Sequence, residues 1–255
     1  MTMLPSGGLA VMQNRVEAPD SLDYFPTPPW ATRALMHHVI GELHQRDTCW
    51  EPACGEGHMA EVLRERFGVV YASDVHDYGC GRVGSFVGSG ADVITSPNPE
   101  WPAADWVITN PPFRLAIEFA ERALDEARIG VALLVRSAWL EGSERYERLF
   151  RPRPPAIVAQ FAERVPMVKG RWDPLASTAT SYAWVVWHQG GPTSTSFIWI
   201  PPGCRKRLTR ADDVARFCVG ASDSPAGGRP QAPSDAPSGR LAERESEGAT
   251  KEQIP

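Results

Sequence analysis

The chain has 255 residues, of which 42% are hydrophobic and 22% charged, and its formal net charge is −5. This length and composition predict a globular protein with one α/β domain and short peripheral segments. The first twenty residues lack the apolar stretch of a secretory signal, and no apolar run reaches the length of a membrane span. The five cysteines form no CxxC pair, which argues against a zinc site or a disulfide framework and predicts a cytoplasmic protein without a metal.

The charge is distributed unevenly along the chain. Residues 1–127 contain 8 Arg against 18 Asp and Glu, a net charge of −10, and residues 128–210 contain 13 Lys and Arg against 5 Asp and Glu, a net charge of +8. This asymmetry indicates either a basic face on one side of the fold or merely an arginine-rich composition.

The predicted elements of the first half alternate between helix and strand. A helix is predicted with Thr27 as its N-cap and Pro28 at its first position, where proline is favoured. A short strand follows at 48–51, a helix at 58–66, and a buried strand at 69–73 that runs into Asp74. The glycine-rich stretch 78–90 is interpreted as an interruption, followed by the short apolar run 91–95.

The second half continues the alternation. Further strands are predicted at 105–109, 130–135, 156–161, 182–187 and 197–200, and further helices at 115–127 and 143–150. Alternating strands and helices predict an α/β fold with a doubly wound, mostly parallel sheet. We divide the chain into a flexible lead at 1–21, a folded domain at 22–219 and a disordered tail at 220–255, because the tail has almost no large apolar side chains.

A glycine-containing loop joins the first strand to the next helix. Residues 51–57 read Glu-Pro-Ala-Cys-Gly-Glu-Gly, and Gly55 and Gly57 lack the Cβ atoms that would obstruct a nucleotide-like ligand. Asp74 ends the second strand about twenty residues later, where a carboxylate can accept ribose hydroxyls. A lone Gly-x-Gly often marks only a tight turn. NAD-binding proteins also combine glycines with an acidic residue after the second strand, but in this chain Ala60 stands where the G-x-G-x-x-G motif has its third glycine.

The tetrapeptide Asn110-Pro111-Pro112-Phe113 follows the strand at 105–109, at the carboxyl edge where such sheets bind ligands. The two prolines fix the backbone, so the segment presents an amide oxygen and a backbone carbonyl in set directions beside an aromatic ring. Two acceptors aimed at the N–H groups of an aromatic amine would localise its lone pair toward an electrophile, and Phe113 would stack on the ring of that amine. The tetrapeptide therefore favours methylation of an amino nitrogen over hydride transfer.

These two motifs resemble those of the amino-methyltransferase family, and specifically its adenine-N6 DNA members, many of them encoded by phages or prophages. The segment 24–32, Tyr-Phe-Pro-Thr-Pro-Pro-Trp-Ala-Thr, is similar to the motif that precedes the glycine loop in that family. The resemblance spans roughly residues 22–188. It implies a Rossmann-like class I methyltransferase fold with small substrate-side inserts, the cofactor S-adenosylmethionine, and double-stranded DNA as the partner.

The resemblance also implies roles for particular residues. It implies that Asn110, Pro111, Pro112 and Phe113 form the catalytic group, with Phe113 where many relatives have tyrosine. Asp74 is expected to bind the ribose of the cofactor, and Asp92 its adenine amino group. The full implied cofactor set is Phe25, Thr27, Pro28, Glu51, Ala53, Gly55, Gly57, Asp74, Asp92 and Asn110.

The substrate side is expected to lie in the basic second half. An adenine within a duplex must be flipped into the site, and residues 164–172 combine cations with an aromatic side chain, from which we predict DNA contacts by Lys169, Arg171 and Trp172. The clusters 151–153 and 205–207 are candidates to extend the basic surface. Because recognition must come from short inserts, at about 140–180 and 189–210, we expect a short recognition sequence or relaxed specificity.

Two other functions use the same features. The tetrapeptide also occurs in enzymes that methylate a glutamine side chain of release factors or guanine in ribosomal RNA, and these generally carry an additional N-terminal domain. A non-catalytic nucleic-acid-binding module with a relic cofactor pocket is the third hypothesis. The sequence leaves the recognition site, the biological role and the oligomeric state open.

Overall fold

The computed structural model describes residues 23–41, 44–78, 86–89, 103–191 and 194–218. The predicted lead 1–21, the tail 220–255, the apolar run 91–95 and Asp92 lie outside these residues.

The described residues form an eight-stranded sheet in the order β3-β2-β1-β4-β5-β7-β6-β8. Strands β1 to β5 pair in parallel, β7 runs antiparallel to β5 and β6, and β8 is parallel to β6. Strand β7 is thus reversed relative to its described neighbours, and the predicted doubly wound, mostly parallel sheet is confirmed. The strands are β1 His44–Glu51, β2 Phe67–Asp74, β3 Phe86–Ser89, β4 Trp106–Thr109, β5 Gly130–Arg136, β6 Ile157–Phe161, β7 Tyr182–His188 and β8 Ser196–Ile200.

The helices of the described residues pack on both faces of the sheet. They are α1 Pro29–Leu35, α2 His58–Leu63, α3 Ala116–Glu126, α4 Ser143–Arg145, α5 Cys204–Leu208 and α6 Asp213–Phe217, with π-helical turns at Met36–Ile40 and Tyr146–Phe150 and 3-10 turns at Phe113–Leu115 and Ser137–Leu140. No helix in the described part is long and apolar enough to cross a membrane.

Three details of the predicted elements are wrong. The first helix begins at Pro29, with Pro28 rather than Thr27 at the N-cap. The stretch interpreted as an interruption contains strand β3, which pairs with β2. The helices α5 and α6 were not predicted, because each has five residues and too few apolar positions to show a helical period.

The C-terminal helix α6 is anchored to α1 by a buried ion pair. The Arg33 guanidinium donates to both carboxylate oxygens of Asp213 at 2.7 Å and to both oxygens of Glu65 at 2.8 and 3.0 Å. The Asp213 side chain is fully buried and that of Arg33 is 7% exposed. Removal of Arg33 would leave the fully buried Asp213 carboxylate without its cation, so this pair stabilises the packing of α6 on α1.

Candidate active site

The carboxyl edge of the sheet brings several of the predicted site residues together. Glu51, Asp74 and Thr109 end β1, β2 and β4, which are neighbours or next neighbours in the sheet. Parallel strands present their carboxyl ends at the same edge, so the loop at 52–57, Asp74 and the tetrapeptide after β4 line one crevice.

The glycine loop has the tight geometry that its sequence predicts. Gly55 has φ +53° and Gly57 has φ +88°, both in the left-handed region that favours glycine. The Gly57 N–H donates to the Cys54 carbonyl at 2.8 Å, and Gly57 is the N-cap of α2. The loop is also tied to β2, because the Cys54 N–H donates to the Ser73 carbonyl at 3.0 Å.

The space next to Gly55 is filled by an aromatic ring of the chain itself. A Cβ atom at Gly55 would lie 2.2 Å from Cε2 of Tyr24. The Tyr24 hydroxyl accepts from the Glu56 N–H at 3.4 Å, and its ring lies 4.5 Å from that of Tyr78. Burial raises the pKa of Tyr78 to about 12 and also raises that of Tyr24 above its ordinary value. Tyr24 therefore forms a wall of the crevice, and Gly55 is needed for this packing as well as for its backbone conformation.

Asp74 lies against the glycine loop. Its Oδ2 accepts from the Gly55 N–H at 2.8 Å and its Oδ1 from the His76 N–H at 3.1 Å. Burial raises the pKa of Asp74, and the two N–H donors oppose that shift. Each carboxylate oxygen has lone pairs beyond the one that these bonds use, so Asp74 retains capacity to accept hydroxyl groups.

Asn110 presents a buried acceptor without a partner. Its Nδ2 donates to the Phe25 carbonyl at 3.0 Å and lies 3.8 Å from the Met167 sulfur, which fixes the orientation of the amide. Its Oδ1 is buried and has no hydrogen-bond partner among the described residues. A buried carbonyl oxygen left in this state is costly unless a ligand or water supplies a donor.

The rest of the tetrapeptide is held from the N-terminal side. Pro111 is buried, and Pro112 has φ −51° and precedes a 3-10 turn that starts at Phe113. The Phe113 N–H donates to Asp23 Oδ2 at 2.8 Å, and its ring lies 5.5 Å from that of Phe25. The segment 23–27 thus holds both ends of the tetrapeptide.

One face of Phe113 is covered, which the sequence did not predict. The Arg136 guanidinium carbon lies 3.8 Å from the centre of the Phe113 ring, a cation–π contact. Arg136 is the exposed last residue of β5, whose other residues are buried. Arg136 thus occupies the same kind of position as Asp74 and Asn110, a polar residue at the end of an apolar strand. Asp23, Tyr24 and Tyr78 carry no such signal, because their proximity to the loop depends on tertiary packing.

The other residues of the predicted cofactor set are mostly buried. Thr27 is 4% exposed, Glu51 is 2% exposed and Pro28 is also buried, whereas Ala53 and Phe25 are half-buried. Phe25, Gly55, Asp74 and Asn110 are brought together by the contacts given above.

The predicted DNA contacts are divided between the surface and the interior. Lys169 and Arg171 are exposed, and the turn that carries them is attached to the crevice because the Gly170 N–H donates to the Tyr24 carbonyl at 3.0 Å. Trp172 is only 6% exposed and packs with Val62 and Phe217. This burial leaves Trp172 little surface to insert into a duplex.

The basic second half does not form one face. Arg128, Arg148 and Arg153 pair with acidic residues of the first half: Asp105 at 3.0 Å, Glu118 and Glu121 at 3.4 and 2.7 Å, and Asp125 at 2.6 Å. Trp187 Nε1, near the end of the reversed strand β7, donates to the Arg153 carbonyl at 2.9 Å. The cluster 151–153 therefore lies at the amino edge, opposite the crevice, whereas 205–207 follows β8 at the carboxyl edge.

No group of three metal-ligating side chains occurs among the described residues.

Comparison with known proteins gives a fold. The structure is similar to the methyltransferase subunit of a type I restriction-modification system from Streptococcus thermophilus, with a TM-score of 0.50, 13% identity, and coverage of 74% of this chain and 49% of that chain. It also matches a modification subunit from Vibrio vulnificus, with a TM-score of 0.48, 14% identity, and coverage of 77% and 52%. This chain spans about half the length of both subunits. No family model matches the chain, and no curated protein matches it. The predicted Rossmann-like fold of class I methyltransferases is confirmed.

Proposed function

We propose that this protein transfers a methyl group from S-adenosylmethionine to the exocyclic amino nitrogen of adenine in DNA, with the base flipped into the crevice. The observation that carries the proposal is the Asn110 Oδ1, a buried and oriented acceptor without a partner in the described chain. It is followed by the backbone carbonyl of buried Pro111, so two acceptors are available for the two N–H groups of one amine.

The residues of the crevice fit this cofactor. Gly55 and Asp74 place backbone and carboxylate together at the end of β2, 2.8 Å apart, and Asp74 has the spare lone pairs to hold two ribose hydroxyls. Phe25, Thr27, Pro28, Glu51, Ala53, Gly57 and Asn110 complete the proposed cofactor set within the described residues. When bound, S-adenosylmethionine supplies an activated methyl group on a positively charged sulfur.

Asn110 acts on the amine through hydrogen bonding. Its Oδ1 and the Pro111 carbonyl accept the two N–H groups, which draws the nitrogen out of conjugation with the ring and directs its lone pair toward the methyl donor. Because the Phe25 carbonyl already holds Asn110 Nδ2 at 3.0 Å, the acceptor needs little rearrangement in the transition state. The amine loses one proton after transfer, for which Oδ1 is the first acceptor on the path to solvent.

Phe113 stacks on the flipped base in this account. The Arg136 guanidinium now lies on its ring at 3.8 Å, and both a guanidinium and a base are planar groups that stack on an aromatic face. The base thus replaces Arg136 on Phe113. Lys169 and Arg171, exposed on the turn bound to Tyr24, are proposed to contact phosphates, and the burial of Trp172 argues for a supporting rather than an inserting role.

The test is an acceptor comparison. Purified protein is incubated with cofactor labelled on its methyl group and with unmethylated plasmid, tRNA, ribosomal RNA or a release factor. We expect label in the plasmid alone, and none with Asn110→Ala. If the label appears only in RNA or in the release factor, the protein methylates that acceptor and not DNA. If the protein binds the cofactor but transfers no label, a non-catalytic module is favoured.

A further inference from the structure

A cavity lies between the two predicted recognition inserts and the start of α1. It has a volume of about 400 Å³ and is lined by residues of three segments, which include Pro28, Pro166, Asp173 and Lys206. This volume is in the range of small-molecule sites in proteins. The two predicted recognition inserts, at about 140–180 and 189–210, meet at its walls.

Two chain segments connect the cavity with the tetrapeptide. Pro166 lines the cavity, and the next residue, Met167, contacts Asn110 Nδ2 at 3.8 Å. On the other side Pro28 lines the cavity, and Phe25, three residues earlier, holds the same amide. The same two chain segments, 25–28 and 166–167, therefore contact Asn110 and line the cavity.

Hydrogen bonds between the two inserts hold the walls of the cavity in place. The Arg205 guanidinium donates to the carbonyls of Pro174 and Ala176, and the Arg205 N–H donates to Glu163 Oε1 at 2.9 Å. These bonds tie the first insert to helix α5 of the second. Trp172 adds an apolar wall, supported from behind by Phe217 at a ring distance of 6.2 Å.

The polar groups at the cavity have complementary signs. Lys206 is exposed and makes no hydrogen bond or ion pair within the described residues. Asp173 is half-buried, its Oδ1 accepts from the Leu175 N–H at 2.9 Å, and its Oδ2 lies 3.5 Å from the exposed Arg171 guanidinium, at the limit of hydrogen-bond distance. A carboxylate repels a phosphate but accepts from the amino group of a base, whereas an exposed ammonium binds phosphate as a point charge.

From this arrangement we infer that the cavity binds the nucleotide that flanks the target adenine on the same strand, with its phosphate at Lys206 and the amino group of its base at Asp173. This inference rests on the proposed function, because it needs a DNA strand at Asn110. It makes Asp173 a specificity-determining residue that favours a flanking base with an amino group over thymine.

The phosphate contact is tested by the salt dependence of DNA binding, measured by fluorescence anisotropy with labelled duplexes in the presence of S-adenosylhomocysteine. Lys206→Ala should make the slope of log Kd against log salt shallower by about 0.9, the value for one phosphate. The matched control is Arg207→Ala: Arg207 is the next residue, is also exposed, does not line the cavity, and donates to the Pro202 carbonyl and the Cys204 sulfur. An equal change in both variants, or none in Lys206→Ala, overturns the inference whether or not the protein methylates DNA.

The base contact is tested with a pool of duplexes randomised around adenine, methylated by the protein and sequenced for modified bases. Wild type should methylate sites with thymine at one flanking position several-fold less often than the others, and Asp173→Ser should remove this bias while a serine oxygen still caps Leu175. A bias that is unchanged in Asp173→Ser overturns the inference. If wild type methylates no DNA at all, the proposed function is contradicted instead. The salt slopes of DNA binding then still test the phosphate contact of Lys206.

Discussion

The two edges of the sheet use their polar groups in opposite ways. At the amino edge and along α3, arginines of the second half are matched by carboxylates of the first, as in the pairs Arg128–Asp105 and Arg153–Asp125. At the carboxyl edge, Asn110 Oδ1 is buried without a partner and Lys206 is exposed without one in the described part of the chain. The difference teaches that arginines of the second half pair with carboxylates of the first at the amino edge, whereas Asn110 Oδ1 and Lys206 keep binding capacity at the edge where parallel sheets bind ligands.

The largest effect should follow from the loss of the unpartnered acceptor. Asn110→Ala is expected to lower kcat for methyl transfer by at least about 10²–10³-fold, since it removes an oriented acceptor from the transition state. Cofactor affinity, measured by calorimetry, should change little, because Asn110 is one of ten residues in the proposed cofactor set and its Oδ1 is assigned to the amine. If Asn110→Ala keeps most of its turnover, the unpartnered acceptor at the carboxyl edge has no role in methyl transfer, and the contrast between the two edges has no functional meaning.

The next effect concerns the cofactor side of the same edge. Asp74→Ala should weaken binding of S-adenosylmethionine by about 10–100-fold, because two hydrogen bonds to the ribose are lost and each contributes a net free energy of about 0.5–1.5 kcal/mol. Calorimetric titration checks this result. Asp77→Ala, in the same loop but outside the predicted cofactor set, is the control, and equal losses in both variants would contradict the ribose assignment.

Packing around the glycine loop gives a third, smaller effect. Gly55→Ala introduces a Cβ atom at φ +53° that meets the Tyr24 ring, whereas Gly190→Ala has φ +66° and nothing within 4 Å. The left-handed conformation costs either variant about 1–2 kcal/mol, so the additional loss in Gly55→Ala measures the contact with Tyr24. Thermal unfolding should show a larger drop in Tm for Gly55→Ala, and Tyr24→Ala should reduce the difference. Equal Tm values for the two glycine variants would argue against this packing.

The smallest effect is expected at the amino edge. Arg153→Ala removes an exposed ion pair of a kind that contributes about 0–1 kcal/mol, and it leaves the Arg153 carbonyl that accepts from Trp187. Unfolding in urea should reveal little loss, and methyl transfer and the salt dependence of DNA binding should match wild type. A shallower salt slope in Arg153→Ala would mean that DNA reaches this edge too.

The sequence was informative where local patterns determine the structure. Asp74 and Asn110 could be placed at strand ends because each directly follows a run of apolar residues, and the structure has both at the carboxyl edge. Strand β3 could not be predicted, because its four residues Phe86–Ser89 lie among glycines and owe their conformation to pairing with β2. The burial of Trp172 depends on Phe217, 45 positions later in the chain, in a helix too short to be predicted. The cover of Phe113 by Arg136 similarly arises from neighbouring strands and not from sequence proximity.

The central claim is that the buried Asn110 acceptor serves methylation of an adenine amino group in DNA, and nucleoside analysis tests it most directly. Unmethylated DNA is treated with cofactor and either wild type or Asn110→Ala, digested to nucleosides and analysed by mass spectrometry. The account predicts N6-methyladenine with wild type and almost none with Asn110→Ala at equal cofactor occupancy. Methylation at another position of the base, or equal yields from both proteins, would contradict it.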